Sequence, residues 1–345
     1  MSAWVLCSDL HLTDNPADEY RFGLFPFLIE CAENDLPAKG ERRLFILGDL
    51  TQNKDRHSAK LVNRIADSLC SLIMFGAYTE IIILRGNHDG VDDSVAYFDF
   101  LNYVPRIRVI TKPCIEVIDG KRVALLPHTR KPKEDWALIE FTEAQYIFMH
   151  ATAEGAIAES GTALTGDQNI KFLNDYNAKI YSGDVHVPQR CGAITYVGAP
   201  YHIRSGDDFN GRVIVIEHGI VSKTTEWHYS TLHKPKLTVG TKGIPVFGSG
   251  VRAGDQLSVV VSLKQEEVHQ FQAVNDKVRA WCDQHKVTLT GVELKIDKPK
   301  LRLKFGSGAA PITTAEAFDK YVSLTKPPQK AVEAGRKVLQ KAQTG

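Results

Sequence analysis

The stretch Ile81-Ile82-Ile83-Leu84-Arg85-Gly86-Asn87-His88-Asp89 runs four consecutive apolar residues into a glycine and three groups able to bind metal or carry protons. A short apolar run of this kind reads as a strand buried on both faces, and the glycine marks its end. Moving towards the N-terminus, Leu44-Phe45-Ile46-Leu47 leads into Gly48-Asp49, and Trp4 to Cys7 leads into Asp9-Leu10-His11. Helical periodicity fills the gaps, over Arg21 to Asn34 and Ser58 to Phe75. Strand, helix, strand at this spacing predicts right-handed crossovers into a mixed or parallel sheet, whose strand carboxyl ends collect ligands.

Towards the C-terminus, Val109 to Ile118 and Arg122 to Leu126 read as a hairpin around Asp119-Gly120. Strands follow at Tyr146 to Met149, Lys179 to Tyr181, Ala193 to Val197 and Gly211 to Glu217. Two of these stop at polar motifs, His150 and Gly183-Asp184-Val185-His186, so a second sheet stacked on the first is expected. After about Tyr229 the prolines and the glycines from Gly240 to Gly254 read as a linker. A strand at Gln256 to Leu263, a helix at Glu266 to His285 and a strand pair at Val292 to Phe305 suggest a small α/β domain. The end of the chain from Ala315 is helical and broken at Pro327-Pro328. The expected domains are 1–230, 231–310 and 311–345.

Length and composition agree with that division. At 345 residues the chain exceeds one ordinary core and falls short of three. With 42 basic and 41 acidic residues no global field announces a nucleic-acid partner. The six cysteines are scattered, with no close pair of the kind used for zinc or redox chemistry. Neither a signal peptide nor a membrane span is expected, and the location expected is cytoplasmic: a bacterial cell, or the host if a phage encodes the chain.

A phosphodiester resists hydrolysis because its anionic oxygens repel hydroxide. Two divalent ions ~3.5–4 Å apart neutralise that charge and supply hydroxide at neutral pH. One carboxylate must bridge them, with oxygen and neutral nitrogen ligands outside. The chain offers Asp9, His11, Asp49, Asn87, His150, Asp184 and His186, each behind a strand. Singly, each has a plain reading as a turn residue, a helix cap or a satisfied histidine. Their joint occurrence points to two-metal phosphoester hydrolysis.

In this order the residues resemble the calcineurin-like metallophosphoesterase superfamily, and Gly86-Asn87-His88-Asp89 after its apolar run is the most specific part. The resemblance implies a four-layer α/β/β/α sandwich. It also implies a first metal on Asp9, His11, Asp49 and His186, and a second on Asp49, Asn87, His150 and Asp184. His88 is then the non-ligand catalytic histidine, with Asp89 either orienting its ring or serving as a turn residue. The chain departs from the family at Asp184, where most relatives carry histidine. An added carboxylate favours Mn²⁺ or Mg²⁺, or else marks a weakened second site.

Within the superfamily the chain is most similar to SbcD-type DNA nuclease subunits, phage forms included. Its length, its motif spacing and Tyr196-Val197-Gly198-Ala199-Pro200-Tyr201 carry that similarity, which covers residues 3 to about 217. It implies a DNA exonuclease and endonuclease using Mn²⁺, a capping domain, dimers, and an SbcC-type coiled-coil ATPase partner. Lys54, Arg56 and His57 after Asp49, and Tyr201, His202 and Arg204 after the last ligand, are candidate substrate contacts. Residues 291–345 hold eleven Lys or Arg against five Asp or Glu, a run that reads equally as a solvated face. His128 receives no catalytic role. A small-nucleotide phosphatase and a metal-poor scaffold are the competing readings.

Overall fold

The computed structural model describes residues 2–92, 95–137, 139–165, 168–219, 222–229, 231–241, 251–297 and 314–344. The chain enters through β1 (Ser2–Cys7), α1 (Leu24–Asp35), β2 (Glu41–Ile46), α2 (Ala59–Met74), β3 (Glu80–Leu84) and β4 (Ile107–Ile110). It continues through β5 (Cys114–Ile118), β6 (Lys121–Leu126), α3 (Pro132–Asp135), β7 (Tyr146–His150), β8 (Lys179–Gly183), β9 (Gln189–Cys191) and β10 (Ile194–Tyr196). Then come β11 (Val213–His218), β12 (Lys223–Trp227), β13 (Lys236–Val239), β14 (Gln256–Lys264), α4 (Phe271–His285) and β15 (Thr288–Asp297). Two six-stranded sheets result, ordered β12-β11-β1-β2-β3-β4 and β5-β6-β7-β8-β10-β9, with a three-stranded sheet β13-β14-β15.

Side-chain alternation explains the stacking. In β1 to β3, Trp4, Leu6, Phe45, Ile82 and Leu84 point to one face, where they meet Val123, Leu125, Tyr146 and Phe148 of the second sheet. Val5, Cys7, Leu44, Ile46, Ile81 and Ile83 point to the other, against α1 and α2. A strand buried on both faces carries an unbroken apolar run, which is why these segments stand out in the sequence. The outer face of the second sheet packs on Trp136, Phe141, Ile170 and Leu173, from short helical turns and loops. The architecture is the expected mixed α/β sandwich of four layers, with the fourth thinner than the first.

Local chemistry sets the boundaries. The Ser58 hydroxyl accepts from the Leu61 amide at 3.1 Å and caps α2. Leu61, Ile65, Leu69 and Leu72 then form that helix's buried stripe. The helix expected from Arg21 starts at Leu24, after a 3-10 turn over Pro16–Gly23. Pro26 lacks an amide donor and fits only the first helical turn. The single strand expected over Val109 to Ile118 is two strands in different sheets, β4 parallel to β3 and β5 antiparallel to β6. Pro113 cannot donate to a ladder, and there the chain crosses between sheets. Asp119 and Gly120 both adopt positive φ, 48° and 75°, as a tight hairpin turn requires.

Two compact units divide the chain, Met1–Asp297 and Lys298–Gly345. The three-stranded sheet belongs to the first, is parallel throughout, and has its own apolar cluster with Val274, Val278 and Cys282 of α4. Its first strand, β13, lies in the stretch that composition marks as linker. In the second unit α5 (Thr314–Thr325) and α6 (Gln329–Thr344) flank the proline pair as expected. Lys298, Lys300, Arg302 and Lys304, and the second strand of the pair expected to reach Phe305, lie outside the described residues.

Candidate metal centre

The carboxyl ends of β1, β2, β3, β7 and β8 meet where the two sheets face each other, and the loops there turn sharply. Asp9, His11, Asp49 and Asp184 all hold positive φ, between 43° and 78°. Non-glycine residues adopt that region at a cost of order 1–3 kcal/mol each, so the surrounding structure must hold them there. Backbone bonds between the loops do so: the Asp9 amide donates to the Gly48 carbonyl at 3.1 Å and the His11 amide to the Asp49 carbonyl at 2.9 Å. Two motif glycines allow close approach. A Cβ on Gly48 would sit 2.1 Å from His150 Nδ1, and one on Gly86 would sit 2.2 Å from Asp49 Oδ1.

The side chains converge on Asp49, which is 2% exposed. Its Oδ2 lies 3.5 Å from His11 Nε2, and its Oδ1 lies 3.4 Å from His150 Nε2. Beside His11 stands His186, the two Nε2 atoms 3.0 Å apart. Beside His150 Nε2 stand Asn87 Oδ1 at 3.3 Å and Asp184 Oδ1 at 3.6 Å. Donor atoms of Asp9, His11 and His186 lie within 4.8 Å of one another, as do those of Asp9, Asp49 and His150. One carboxylate therefore separates two sets of oxygen and nitrogen donors.

Several features fit cations at these positions. Asp9 Oδ2 is buried and has no hydrogen-bond partner among the described residues. Two imidazole nitrogens 3.0 Å apart need a proton or a cation between them. His150 Nδ1 donates to the Leu47 carbonyl at 2.6 Å, so Nε2 is the nitrogen that faces Asp49 and Asp184. Burial opposes charge on that ring, but the two carboxylates raise it well above the usual imidazole range, and they would favour a cation there as they favour a proton. Burial pushes the Asp9 carboxyl up to about 6, and neighbouring Asp49 adds to the rise against the opposing pull of His150 and His186. Burial drives His11 down to about 3, which keeps its ring neutral. Burial alone would raise Asp49 as well, but His150 and His11 hold it below the ordinary carboxylate range.

His88 lies in the same cluster, its donor atom within 4.8 Å of those of His11 and Asp49. Its amide donates to Asp49 Oδ1 at 2.8 Å, and its Nδ1 donates to the Gln52 carbonyl at 2.7 Å. The ring partner is thus Gln52, a correction to the expectation that Asp89 orients it. Asp89 instead accepts from the Gly86 amide at 2.8 Å and the Thr51 amide at 3.3 Å, bracing two loops. Burial, reinforced by Asp49, lifts the Asp89 carboxyl to about 7.

The other candidates separate by direction. Lys54 and Arg56 are exposed on the loop that carries Gln52. His57 bonds Thr51 Oγ1 at 2.8 Å and packs on Tyr97. Tyr201 and His202 turn inward, a correction to their reading as substrate contacts. The Tyr201 hydroxyl donates to the Leu10 carbonyl at 2.7 Å, and His202 bonds the Phe209 carbonyl and the Lys234 amide. Arg204 is exposed. Sequence reasoning missed Glu159, whose carboxylate faces His186 Nδ1 and is held down to about 2 by that contact. The 151–165 loop shows no periodic pattern that would mark it.

A family model, calcineurin-like phosphoesterase, matches residues 4–188. The chain belongs to the calcineurin-like phosphoesterases. Such enzymes hydrolyse phosphoesters with divalent metals, and the buried Asp and His cluster of this phosphoesterase is where metal would bind. Among solved structures the chain has a match in a protein of unknown function from Aquifex aeolicus. That similarity has a TM-score of 0.28 and 17% identity, and it covers 58% of this chain and 90% of that one. No curated protein matches. Among the described residues no helix is long and apolar enough to cross a membrane.

Proposed function

We propose that this phosphoesterase is an SbcD-like DNA nuclease acting through two divalent ions, Mn²⁺ for preference and Mg²⁺ as a substitute. The observation that carries the two-ion reading is Asp49, with one carboxylate oxygen towards His11 and the other towards His150. Asp9, His11 and His186 would hold one ion, Asn87, His150 and Asp184 the other, and Asp49 both. Bound ions would neutralise phosphate charge and supply a strong nucleophile at neutral pH.

The chain's own groups set the rest. Gln52 fixes the His88 ring, which leaves its other nitrogen to hydrogen-bond a phosphate oxygen and pass a proton to the departing one. Glu159 fixes the His186 tautomer, as a carboxylate behind a metal-binding histidine does. Lys54 and Arg56, exposed beside the cluster, suit backbone phosphates. DNA as the substrate rests on the sequence similarity to SbcD-type subunits. A cap over residues 231–310, an SbcC-type ATPase partner and a homodimer are carried over from the same subunits, beyond the residues 3 to about 217 that the similarity covers.

The test is hydrolysis of defined single- and double-stranded DNA with Mn²⁺, beside nitrophenyl phosphomonoesters and cyclic nucleotides. Cleavage of DNA is expected. Turnover of the small esters with DNA untouched would replace this reading with a small-nucleotide phosphatase.

A further inference from the structure

One side chain at the metal centre belongs neither to the ligand set nor to the sequence motifs. Thr152 stands two residues after His150, and its hydroxyl donates to Asp184 Oδ2. The other oxygen of that carboxylate, Oδ1, lies 3.6 Å from His150 Nε2, the nitrogen that also faces Asn87 and Asp49. The two oxygens of one proposed ligand thus have different tasks. Oδ1 faces the second cation position, and Oδ2 is taken by Thr152.

The hydroxyl is held in place by the chain around it. His150 at the end of β7 is paired with Gly183 at the end of β8, and two other hydroxyls fasten the backbone just beyond. Ser182 Oγ accepts from the Ala151 amide at 3.2 Å, and the Tyr196 hydroxyl accepts from the Ala153 amide at 2.6 Å. Thr152 lies between these two pinned residues. Asp184 is fixed from its own side, with φ at 78° and its amide donating to Asp9 Oδ1 at 3.0 Å. Its side chain is 18% exposed, so packing alone does not stop the carboxylate from rotating. The Thr152 bond does.

We propose that Thr152 is a positioning residue that makes Asp184 a one-oxygen ligand and so sets which cations the second position accepts. A free carboxylate can grip a cation with one oxygen or with both. Ca²⁺ takes carboxylates either way in a loose shell of oxygens, whereas Mg²⁺ demands near-octahedral order, and Mn²⁺ also suits six ordered ligands. Two-oxygen binding by Asp184 would break a hydrogen bond to a charged acceptor, which is one of the stronger kinds. The arrangement therefore favours Mn²⁺ and Mg²⁺ over Ca²⁺. This inference rests on the two-ion reading above and names what tunes one of the two positions.

The experiment is calorimetric titration of the full, metal-free chain with Mn²⁺ and, separately, with Ca²⁺. The unaltered protein should take up two Mn²⁺. Thr152→Val keeps the branched shape and removes the hydroxyl, so it should weaken one Mn²⁺ by about tenfold while the other keeps its affinity. Ca²⁺ should weaken less, which narrows the preference for Mn²⁺. Thr152→Ser returns the hydroxyl and should restore both affinity and preference. If Thr152→Val does not fold, Thr152→Ala beside Thr152→Ser makes the same comparison. Equal weakening of Mn²⁺ and Ca²⁺ overturns the proposal, because a general loss of structure acts on both, and so does a Thr152→Ser variant as weak as Thr152→Val. Two Mn²⁺ on the unaltered protein with no effect of Thr152→Val sinks this inference alone. A single Mn²⁺ or none on the unaltered protein sinks the two-ion reading and this inference with it.

Discussion

Two clusters of buried charge lie close together in this molecule, and they are built on opposite terms. Around Asp18, one carboxylate meets two cations: Arg21 Nη2 and Lys234 Nζ each stand 2.9 Å from Asp18 Oδ1. Both cations also reach the Ile203 carbonyl, at 3.3 and 3.4 Å, and Arg21 donates to the His11 carbonyl as well. That cluster is closed by its own hydrogen bonds. Around Asp49, the carboxylates of Asp9, Asp49 and Asp184 face imidazoles and an amide oxygen, and Asp9 Oδ2 has no partner among the described residues. The first cluster joins the loop after β1 to the chain leading into β13, and the second leaves a buried carboxylate oxygen of Asp9 without a partner among the described residues. Burial of charge marks function only where the charges are left unbalanced.

The comparison breaks most readily at Asp49. Asp49→Ala should lose metal and reduce phosphodiester hydrolysis by ~10³-fold or more, because both ions lose a shared ligand. Metal content by elemental analysis, read beside turnover, checks both parts. Asp18→Ala should do the reverse: metal stays bound while unfolding free energy drops by about 3–5 kcal/mol, since Arg21 and Lys234 are left buried without a counter-charge. Denaturant titration at fixed Mn²⁺ measures it.

Smaller effects refine the metal side. His88→Ala should slow turnover ~10²-fold with metal retained, and loss of metal would make His88 a ligand instead. Glu159→Gln should weaken metal affinity by about 10-fold to 100-fold, because the amide orients the His186 ring less strongly than the carboxylate. Competition against a metal-sensitive dye would show whether Glu159 acts through His186.

The smallest effect is on pH. Asp9 in the fold is raised to about 6 from an ordinary 3.8. The metal-free fold therefore binds this proton more tightly than the unfolded chain, and it loses stability as pH rises between those values. A cation offsets the ionised carboxylate, so the rise in Tm on adding Mn²⁺ should be larger at pH 7.5 than at pH 5. An equal rise at both would remove Asp9 from the site.

Much of the metal cluster was legible because each member follows a strand buried on both faces, and such strands announce themselves as apolar runs. Gly48 and Gly86 were legible for the same reason, with their close contacts to His150 and Asp49 supplying the cause. Direction across the backbone was not legible. Tyr201 and His202 sit beside the last motif yet point into the core, because adjacency in sequence says nothing about which face a loop residue takes. Glu159 was invisible because its partner is set by tertiary packing alone. The strand break at Pro113 carried a signal, since proline is excluded from ladder interiors. The edge strand β12 did not, because only Trp227 of its five residues is buried.

Anomalous diffraction from crystals of the full chain grown with Mn²⁺ tests the central claim most directly. Two peaks on opposite sides of the Asp49 carboxylate, one beside His11 and His186 and the other beside Asn87, His150 and Asp184, are the predicted result. A single peak, or none within bonding distance of Asp49, would contradict it.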